Sequence, residues 1–482
     1  MNDNQKLTGR AKVSYALGAV GKDMVYMLSA SYVLYYFQDL LGVKAWIMGV
    51  ILLAARVFDA FNDPIMGVVV AKTKTKWGKF RPWLLIGTIT NAVVLFVMFS
   101  CPPKLDGAGL TAYAAIFYIL WGVTYTMMDI PYWSMIPAFT EGGKERENLT
   151  TIARTCAGVG SAIITIVTMI LVPALGAAFA GPDAGAQLRE IVGFKYFSLI
   201  VAVLFILFTV LTCLNVKEKS TAEMKTVSVK EMFKALVQND QAMTVTVAIV
   251  LINCCVYITS NLVIYFFKYD FGTTTWNDSY VLFNMFGGAI QVLSMMLFYP
   301  VLRRKFSSLR IFYICLGMAI CGYAVLLALT FINMSNVYLL FVPAFFIFAA
   351  NGMLTVITTV FLANTVDYGE LKNHRRDESV IFSMQTFVVK LASGIAALAA
   401  SICLSVNHLQ SGTEVSEADK LVDWSLNVAQ SAKAGLRFTM TVIPMIGLFI
   451  ALFWFRRRYI LTDEEVAEIA EQVQTLRKDE ER

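Results

Sequence analysis

Long runs of apolar residues, separated by short polar segments, recur along the whole 482-residue chain. Most of these runs are long enough to cross a bilayer as a helix, which takes about 20 residues. We predict twelve spans from this pattern, at 13–37, 46–70, 82–101, 112–137, 150–175, 193–215, 242–267, 277–301, 309–332, 336–364, 379–406 and 435–455. The pattern therefore predicts an all-α polytopic membrane protein, because helices satisfy every backbone polar group internally.

The composition agrees with this interpretation, since 57% of the residues are hydrophobic and only 15% are charged. The first twelve residues are polar and the first apolar run has full spanning length, which argues against a cleavable signal peptide. The eight cysteines form no C-x-x-C motif, and His374 and His408 lie outside the predicted spans. We therefore expect no disulfide framework and no histidine-based metal site within the membrane.

Lysine and arginine concentrate in every second connection, which sets the expected orientation. The basic segments are the N-terminus, 72–81, 217–234, 303–310, 372–376 and the tail from 456 onward. The alternate connections are poor in positive charge. Because cytoplasmic loops carry the excess of Lys and Arg, both termini are predicted to be cytoplasmic. This basic inner face is also a candidate docking surface for a cytoplasmic regulatory protein.

The long polar connection divides the chain into two sets of six spans. We predict an N-terminal half at 1–215, a cytoplasmic connection at 216–241, a C-terminal half at 242–455 and an amphipathic tail helix at 456–482. Each half also has a short basic loop between its second and third spans. Two parallel six-helix halves are typical of the major facilitator fold, in which the substrate site lies at the midplane.

The second span carries an unusual group of polar side chains. A charge at bilayer depth costs at least about 2.5–3.5 kcal/mol, yet this span holds Arg56, Asp59 and Asp63 as well as Asn62. Their spacing of three and four residues places them on one side of a helix. Two carboxylates and an amide form an oxygen cage suited to an alkali cation or a proton. The alternative is a buried ion-pair network that only stabilises helix packing. Pro64 follows and leaves a carbonyl near residue 60 without its helical partner.

The fourth span carries a second candidate group. Tyr125, Asp129 and Trp133 are spaced by four residues and therefore form one stripe. A carboxylate flanked by aromatic rings is typical of saccharide sites, because a ring stacks on the apolar face of a sugar while the acid accepts its hydroxyls. Thr126 offers a hydroxyl ligand to the cation cage. The alternatives are core packing for Tyr125 and an interfacial position for Trp133.

Further charges lie in the first and fifth spans. Asp23 is suited to accept two vicinal sugar hydroxyls. Its neighbour Lys22 points about 100° away on a helix, so these two residues need not pair. Arg154 in the fifth span requires an acidic partner, and either Asp23 or Asp129 would serve.

The C-terminal half is nearly free of charge within its spans. Lys390 in the eleventh span is the main exception, with Gln385 and Thr386 one turn earlier. We therefore expect the ion-handling chemistry in the N-terminal half. The C-terminal half would close the cavity through polar and aromatic residues such as Tyr257 and Asn261.

Several long motifs now point to a known family. They are GKD at 21–23, ARVFDAFNDPIMG at 55–67, TKWGKFRPW at 75–83, YTMMDIPYWSMIP at 125–137, VDYGE at 366–370 and QTFVVK at 385–390. Together they resemble the glycoside–pentoside–hexuronide:cation symporter family, with its melibiose permeases nearest. The resemblance is collinear over roughly residues 11–460.

This resemblance implies coupled uptake of a glycoside, such as the galactoside melibiose, with Na⁺, Li⁺ or H⁺ across a bacterial cytoplasmic membrane. It implies no cofactor other than the coupling ion. By position it assigns the cation site to Asp59, Asn62, Asp63 and Thr126. It assigns the sugar site to Asp23, Asp129, Trp133 and Arg154, with Lys22 and Tyr125 beside them. It makes Lys390 a charge partner of the acidic cluster, and the presence of both Asn62 and Asp129 favours Na⁺.

The chain also departs from the melibiose permeases. Asn364 stands where they have Asp, and Thr355 stands where they have Trp. The external loop 407–434 also looks longer. The resemblance therefore does not fix the residues that form the C-terminal wall of the sugar site, and it does not fix the identity of the sugar.

Two other functions compete with this hypothesis. One is proton-coupled symport of another glycoside, a pentoside or a glucuronide, for which Arg154 and Lys390 would supply the extra positive charge. The other is a membrane enzyme that uses paired carboxylates as acid and base on a lipid-linked sugar. The acids lie on spanning helices rather than in interfacial loops, which argues against the enzyme. The sequence shows no pore-lining ring or filter-like repeat, which argues against a channel.

Overall fold

The structure is a computed structural model of the chain. The structure describes residues 7–140, 143–181, 184–218, 234, 237–271, 276–332, 336–373, 378–409 and 424–480. Within these ranges the secondary structure is helical, with no β-strand. The predictions for most of the connection 216–241, for His374 and for most of the loop 407–434 lie outside the described residues.

Twelve long helical segments account for most of the described residues. The first six are α1 Gly9–Tyr35, α2 Ala45–Lys72, α3 Arg81–Met98, α4 Gly107–Phe139, α5 Gly143–Phe179 and α6 Ala186–Asn215. The next five are α7 Asp240–Tyr269, α8 Trp276–Leu293, α9 Ser308–Leu329, α10 Val337–Asn373 and α11 Glu378–Val406. The twelfth, α12, comprises Gln430–Arg437, a π-helical turn Phe438–Val442 and Ile443–Arg458. A tail helix, α13, covers Asp463–Glu480.

Ten of these helical segments are long and apolar enough to cross a membrane, counting only the residues that the structure describes. The two long helices outside this set are α1 and α2, which carry the charged groups at Lys22 and Asp23 and at Asp59 and Asp63. The prediction of an all-α polytopic membrane protein is confirmed.

Local sequence signals explain several helix ends. The Thr8 side chain accepts a hydrogen bond from the backbone N–H of Ala11 at the start of α1, and Asn239 does the same for Ala242 at the start of α7. These side chains satisfy backbone donors that have no partner within the helix. At the tail, Thr462 and Glu465 exchange side-chain and backbone hydrogen bonds of 3.2 and 2.7 Å, which is the capping-box arrangement.

The chain separates into two compact units. The first comprises Met1–Gln238, Val366–Phe387 and Ile469–Arg482, and the second comprises Asn239–Thr365 and Val388–Glu468. In the first unit α1 packs on α5 and α6, α3 packs on α4 and α6, and α2 packs on α4. In the second unit α12 packs on α7 and α9. The predicted boundaries near 215 and 242 remain predictions.

The helix ends differ from the predicted spans where polar residues continue a helix beyond the apolar run. The predicted span 336–364 corresponds to α10, which begins at Val337 and continues to Asn373, and the span 150–175 is part of α5, which begins at Gly143. The polar extension of α5 is held by Arg146, which bonds Thr140 and lies 2.7 Å from Asp367 within the first unit. Hydropathy marks the apolar length of a helix, whereas such contacts decide where the helix ends.

Candidate functional site

Lys22 is the centre of a polar cluster inside the first unit. Its Nζ lies 2.7 Å from Asp129 Oδ1 and 3.1 Å from Asp23 Oδ2, and it donates a 3.0 Å hydrogen bond to the Tyr125 hydroxyl. Lys22 is only 4% exposed. The sequence left open whether Lys22 and Asp23 pair, and the structure brings the two side chains together. Adjacent residues point apart on a helix, but the long lysine side chain reaches both carboxylates.

Trp133 and Arg154 complete this cluster. The Trp133 indole Nε1 donates a 3.2 Å hydrogen bond to Asp129 Oδ1, while Arg154 Cζ lies 3.7 Å from the indole ring centroid. One face of the indole is therefore covered by a guanidinium group, a favourable cation–π geometry. The Arg154 charge also acts on Asp23 and Asp129. Trp133 thus orients Asp129 and Arg154 in addition to any contact with a sugar.

The cluster combines fixed charges with directional donors and acceptors. Two carboxylates, an ammonium group, a guanidinium group, an indole N–H and a phenol lie within one small region of α1, α4 and α5. Burying such charges is costly unless they are paired, and here each carboxylate has a cation close by. Charge-assisted hydrogen bonds from such groups are suited to recognising several hydroxyls at once.

The second cluster lies between α2 and α4. Thr126 Oγ1 donates a 2.9 Å hydrogen bond to Asp63 Oδ1, and Asp63 is fully buried. Asp59 is 9% exposed and lies against Gly122, where a Cβ would come within 2.7 Å of Asp59 Oδ1. The small residue on α4 therefore makes room for the carboxylate on α2.

Asn62 belongs to the same turn of α2. Its amide Nδ2 is buried and has no hydrogen-bond partner within the described residues. The described part of the chain holds no group of three or more His, Cys, Asp or Glu side chains that could bind a metal. A cation held here would thus need amide and hydroxyl oxygens in addition to the carboxylates, which is the donor set that hard cations prefer.

Arg56 lies three residues before Asp59 on α2. Arg56 is exposed, and its charge acts on Asp59, Tyr26 and Tyr118. The continuous helix α2 includes Pro64 in its interior. The four residues expected on one side of α2 are thus held by an unbroken helix.

A reciprocal tyrosine pair was missed at the level of sequence. The Tyr15 hydroxyl donates to the Tyr132 carbonyl at 2.5 Å, and the Tyr132 hydroxyl donates to the Tyr15 carbonyl at 2.6 Å. The two rings are stacked, with centroids 4.4 Å apart. Tyr15 lies two turns before Lys22 on α1, and Tyr132 lies one turn after Asp129 on α4. The same helix faces that meet at Lys22 and Asp129 thus also meet at this pair, and helical spacing was the signal that could have found it.

The remaining predicted residues lie elsewhere. Gln385 and Thr386 are half-buried on the part of α11 that belongs to the first unit, and Lys390 is half-buried on the part that belongs to the second. The second unit also contains Tyr257, Asn261, Thr355 and Asn364. The role of Lys390 as a charge partner stays a prediction.

Comparison with known proteins agrees with the fold and the polar clusters. Residues 14–463 match the family described as MFS/sugar transport protein. The lactose permease of Lactobacillus delbrueckii subsp. bulgaricus is 26% identical over 476 residues, which are 96% of this chain and 72% of that protein. The isoprimeverose transporter of Lactiplantibacillus pentosus is 27% identical and aligns with 86% of this chain and 84% of its own.

A solved structure supports the same architecture. The proton:xylose symporter XylE, solved with 6-bromo-6-deoxy-D-glucose, superposes with a TM-score of 0.65 at 14% identity and covers 97% of this chain and 100% of its own. At this identity the likeness shows the fold alone.

Fold and site together define a polytopic membrane transporter of the major facilitator superfamily rather than an enzyme. The chain belongs to the MFS/sugar transport protein family.

Proposed function

We propose that the protein is a cation-coupled symporter of a neutral glycoside, with a galactoside such as melibiose as substrate and Na⁺ as coupling ion. One observation carries this proposal. Thr126 in the acidic cluster and Asp129 in the Lys22 cluster are three residues apart on α4, a rise of about 4.5 Å along the helix. A cation at one cluster and a sugar at the other would therefore share a helix.

The balanced charge of the Lys22 cluster favours a neutral sugar as the substrate. Its two basic side chains, Lys22 and Arg154, are matched by the carboxylates of Asp23 and Asp129. A hexuronide carries its own carboxylate and would leave a buried negative charge unmatched in this unit, which is costly. The balance favours glycosides without an acidic group.

The acidic cluster favours a monovalent cation as the coupling ion. Asp59 and Asp63 are two buried carboxylates one turn apart on α2, and the charge of Arg56 acts on Asp59. One Na⁺, Li⁺ or H⁺ would reduce the repulsion between these two carboxylates. The Asp63 and Thr126 oxygens and the amide of Asn62 offer more ligands than a proton requires, which favours a metal cation.

Coupling follows from linkage between the two clusters. A bound cation would fix the contact between α2 and α4 and thereby hold Asp129 and Trp133 for the sugar. Because linkage is reciprocal, the sugar must raise cation affinity by the same factor. Alternating access of the two halves, the general mechanism of this fold, would then carry both across the membrane.

The names of the relatives agree with a glycoside substrate. Besides the lactose permease and the isoprimeverose transporter, a raffinose carrier protein of Pediococcus pentosaceus is 26% identical over 487 residues. Lactose and raffinose are both galactosides. We take the substrate class from these names and from the charge balance of the site.

A proton-coupled symporter is the second candidate. Asp63 is fully buried, and a carboxylate removed from water is suited to hold a proton. The proton would replace the metal cation at the same cluster, and the sugar site would be unchanged.

Uptake of labelled galactosides into cells that lack other transporters for them tests the proposal. We expect Na⁺ to stimulate uptake of at least one neutral galactoside under conditions in which the proton gradient has been collapsed. Uptake that depends on the proton gradient and ignores Na⁺ would establish the second candidate. A panel that includes lactose, melibiose, raffinose and a glucuronide identifies the sugar, and transport of the glucuronide alone would contradict the neutral site.

A further inference from the structure

The short connection between α2 and α3 is held rigidly at both of its ends. At its start, the Trp83 indole Nε1 donates a 2.6 Å hydrogen bond to Thr73 Oγ1. At its end, the Glu218 carboxylate accepts hydrogen bonds from the backbone N–H groups of Lys79, Phe80 and Arg81 at 2.6, 3.0 and 3.1 Å. The connection is therefore an ordered structure rather than a loose linker.

Between these fixed points the chain forms a tight turn. Thr75 Oγ1 donates to the Gly78 carbonyl at 2.7 Å and accepts from the Trp77 backbone N–H at 3.2 Å. Gly78 has a φ of +105°, a conformation that side chains disfavour, and a Cβ there would lie 2.4 Å from Glu218 Oε1. The turn thus depends on glycine and on the buried carboxylate beneath it.

The turn presents a tip that consists of residues 74–77. All four residues are exposed, and the Trp77 side chain is 64% exposed. Lys72, Lys74 and Lys76 lie in or beside the tip, and the segment 72–83 contains no acidic residue. An ordered, exposed indole among lysines is an unfavourable surface in water but a favourable one at a membrane interface, where Trp is enriched.

The position of the tip agrees with a membrane partner. It follows the end of α2 at Lys72 by two residues and precedes the start of α3 at Arg81 by four. Helix α3 is long and apolar enough to cross a membrane, so the tip lies just before the start of a candidate span. The Lys and Arg distribution places it on the cytoplasmic side, whose leaflet is negatively charged.

We propose that the 74–77 tip is a binding site for anionic phospholipid, in which Trp77 inserts at the interface and Lys74 and Lys76 contact lipid phosphates. The occupant is the anionic lipid of the cytoplasmic leaflet, because the segment 72–83 contains basic but no acidic residues and leads directly into the candidate membrane span α3. Lipid binding at the tip would anchor the cytoplasmic end of α2, the helix that carries Asp59 and Asp63.

Lipid binding to the purified full-length protein tests this site. Bound phosphatidylglycerol and phosphatidylcholine are counted by native mass spectrometry for the wild type and the variants Lys74→Gln/Lys76→Gln and Trp77→Ala. The matched control is Arg304→Gln/Lys305→Gln, which removes the same charge from the exposed loop between α8 and α9. Gel filtration verifies that each variant is folded, and Lys74→Arg/Lys76→Arg should restore binding.

We expect the wild type to prefer phosphatidylglycerol over phosphatidylcholine. The double Lys variant should lose affinity by roughly 30-fold, the value that the attraction of two lysines to an anionic surface predicts. Trp77→Ala should weaken binding of both lipids. An equal loss in the control, or equal binding of the two lipids to the wild type, would overturn the proposal. Full competition by inorganic phosphate would also overturn it, because the site would then recognise free phosphate rather than a lipid.

Discussion

Lys22 Nζ lies 2.7 Å from Asp129 Oδ1, so an ammonium group of α1 and a carboxylate of α4 meet inside the first unit. Both residues are at least nine-tenths buried. Removal of one partner from a buried pair leaves the other charge without compensation, which costs about 3–5 kcal/mol. The pair therefore ties the integrity of the candidate sugar site to the side-chain contacts between α1 and α4.

Asp129→Asn should remove sugar binding while cation binding remains. The amide keeps the size of the side chain and can still accept from the Trp133 indole, but it loses the charge that holds Lys22. Calorimetry with Na⁺ and with the transported sugar measures the two affinities separately. An unchanged sugar affinity would exclude Asp129 from the site.

Thr126→Val should weaken the cation response. The substitution keeps the shape of the side chain and removes the hydroxyl that donates to Asp63. A hydrogen bond to a charged group contributes about 1.5–3 kcal/mol, so the Na⁺ affinity should fall by roughly 10- to 100-fold. The matched control is Thr124→Val on the same helix, because its hydroxyl accepts from Asn91 on α3 instead. Equal effects of the two variants on Na⁺ affinity would argue for a general packing effect.

Gly122→Ala should disturb the same cluster from the opposite side. The added Cβ would come within 2.7 Å of Asp59 Oδ1, so the carboxylate or the α4 backbone must move. Overpacking of this kind costs about 1–3 kcal/mol. We expect reduced cation stimulation of uptake, whereas Gly49→Ala on α2, with open space around its Cβ, should leave stimulation intact. Normal stimulation in Gly122→Ala would place the cation away from Asp59.

Tyr15→Phe should raise the KM for sugar and leave the maximal rate unchanged. The reciprocal hydrogen bonds with Tyr132 set the register of α1 against α4, and one such bond contributes about 0.5–1.5 kcal/mol. We therefore expect an increase in KM of up to about tenfold. Tyr323→Phe is the control, since this buried tyrosine bonds Thr259 in the second unit. A KM for sugar in Tyr15→Phe as low as that of the Tyr323→Phe control would mean that Tyr15 does not act on the Lys22 cluster.

Arg437→Ala should destabilise the second unit. Arg437 forms two 2.7 Å hydrogen bonds with Asp270, whose side chain is fully buried, so the variant would leave an unpaired buried carboxylate. We expect a loss of about 3–5 kcal/mol and a clearly lower midpoint of thermal unfolding. Arg437→Lys should recover part of the stability because it keeps the charge. The exposed Arg457→Ala serves as the control, and a midpoint as high as that of the control would contradict the structural role.

Much of the fold could be predicted from the sequence because its main determinants are local. Apolar length decides which segments span a bilayer, and twelve predicted spans correspond to the twelve long helical segments of the described chain. The helical period placed Asp59, Asn62 and Asp63 on one side of α2, and it placed Tyr125, Asp129 and Trp133 on one stripe of α4. Both helices are unbroken, so the face on which these side chains lie does not depend on the helix packed against it.

Only the tertiary structure decided which charges meet. The sequence left Arg154 between two possible acids and left open whether Lys22 and Asp23 pair, whereas the tertiary structure places Lys22 against both carboxylates and Arg154 over Trp133. It also revealed the Tyr15–Tyr132 pair and the Glu218 carboxylate beneath the Gly78 turn. The Tyr15–Tyr132 pair and the contact of Glu218 with the Gly78 turn join residues more than one hundred positions apart. Helical periodicity fixes the face on which a side chain lies, but the partner of that face depends on the helix packed against it.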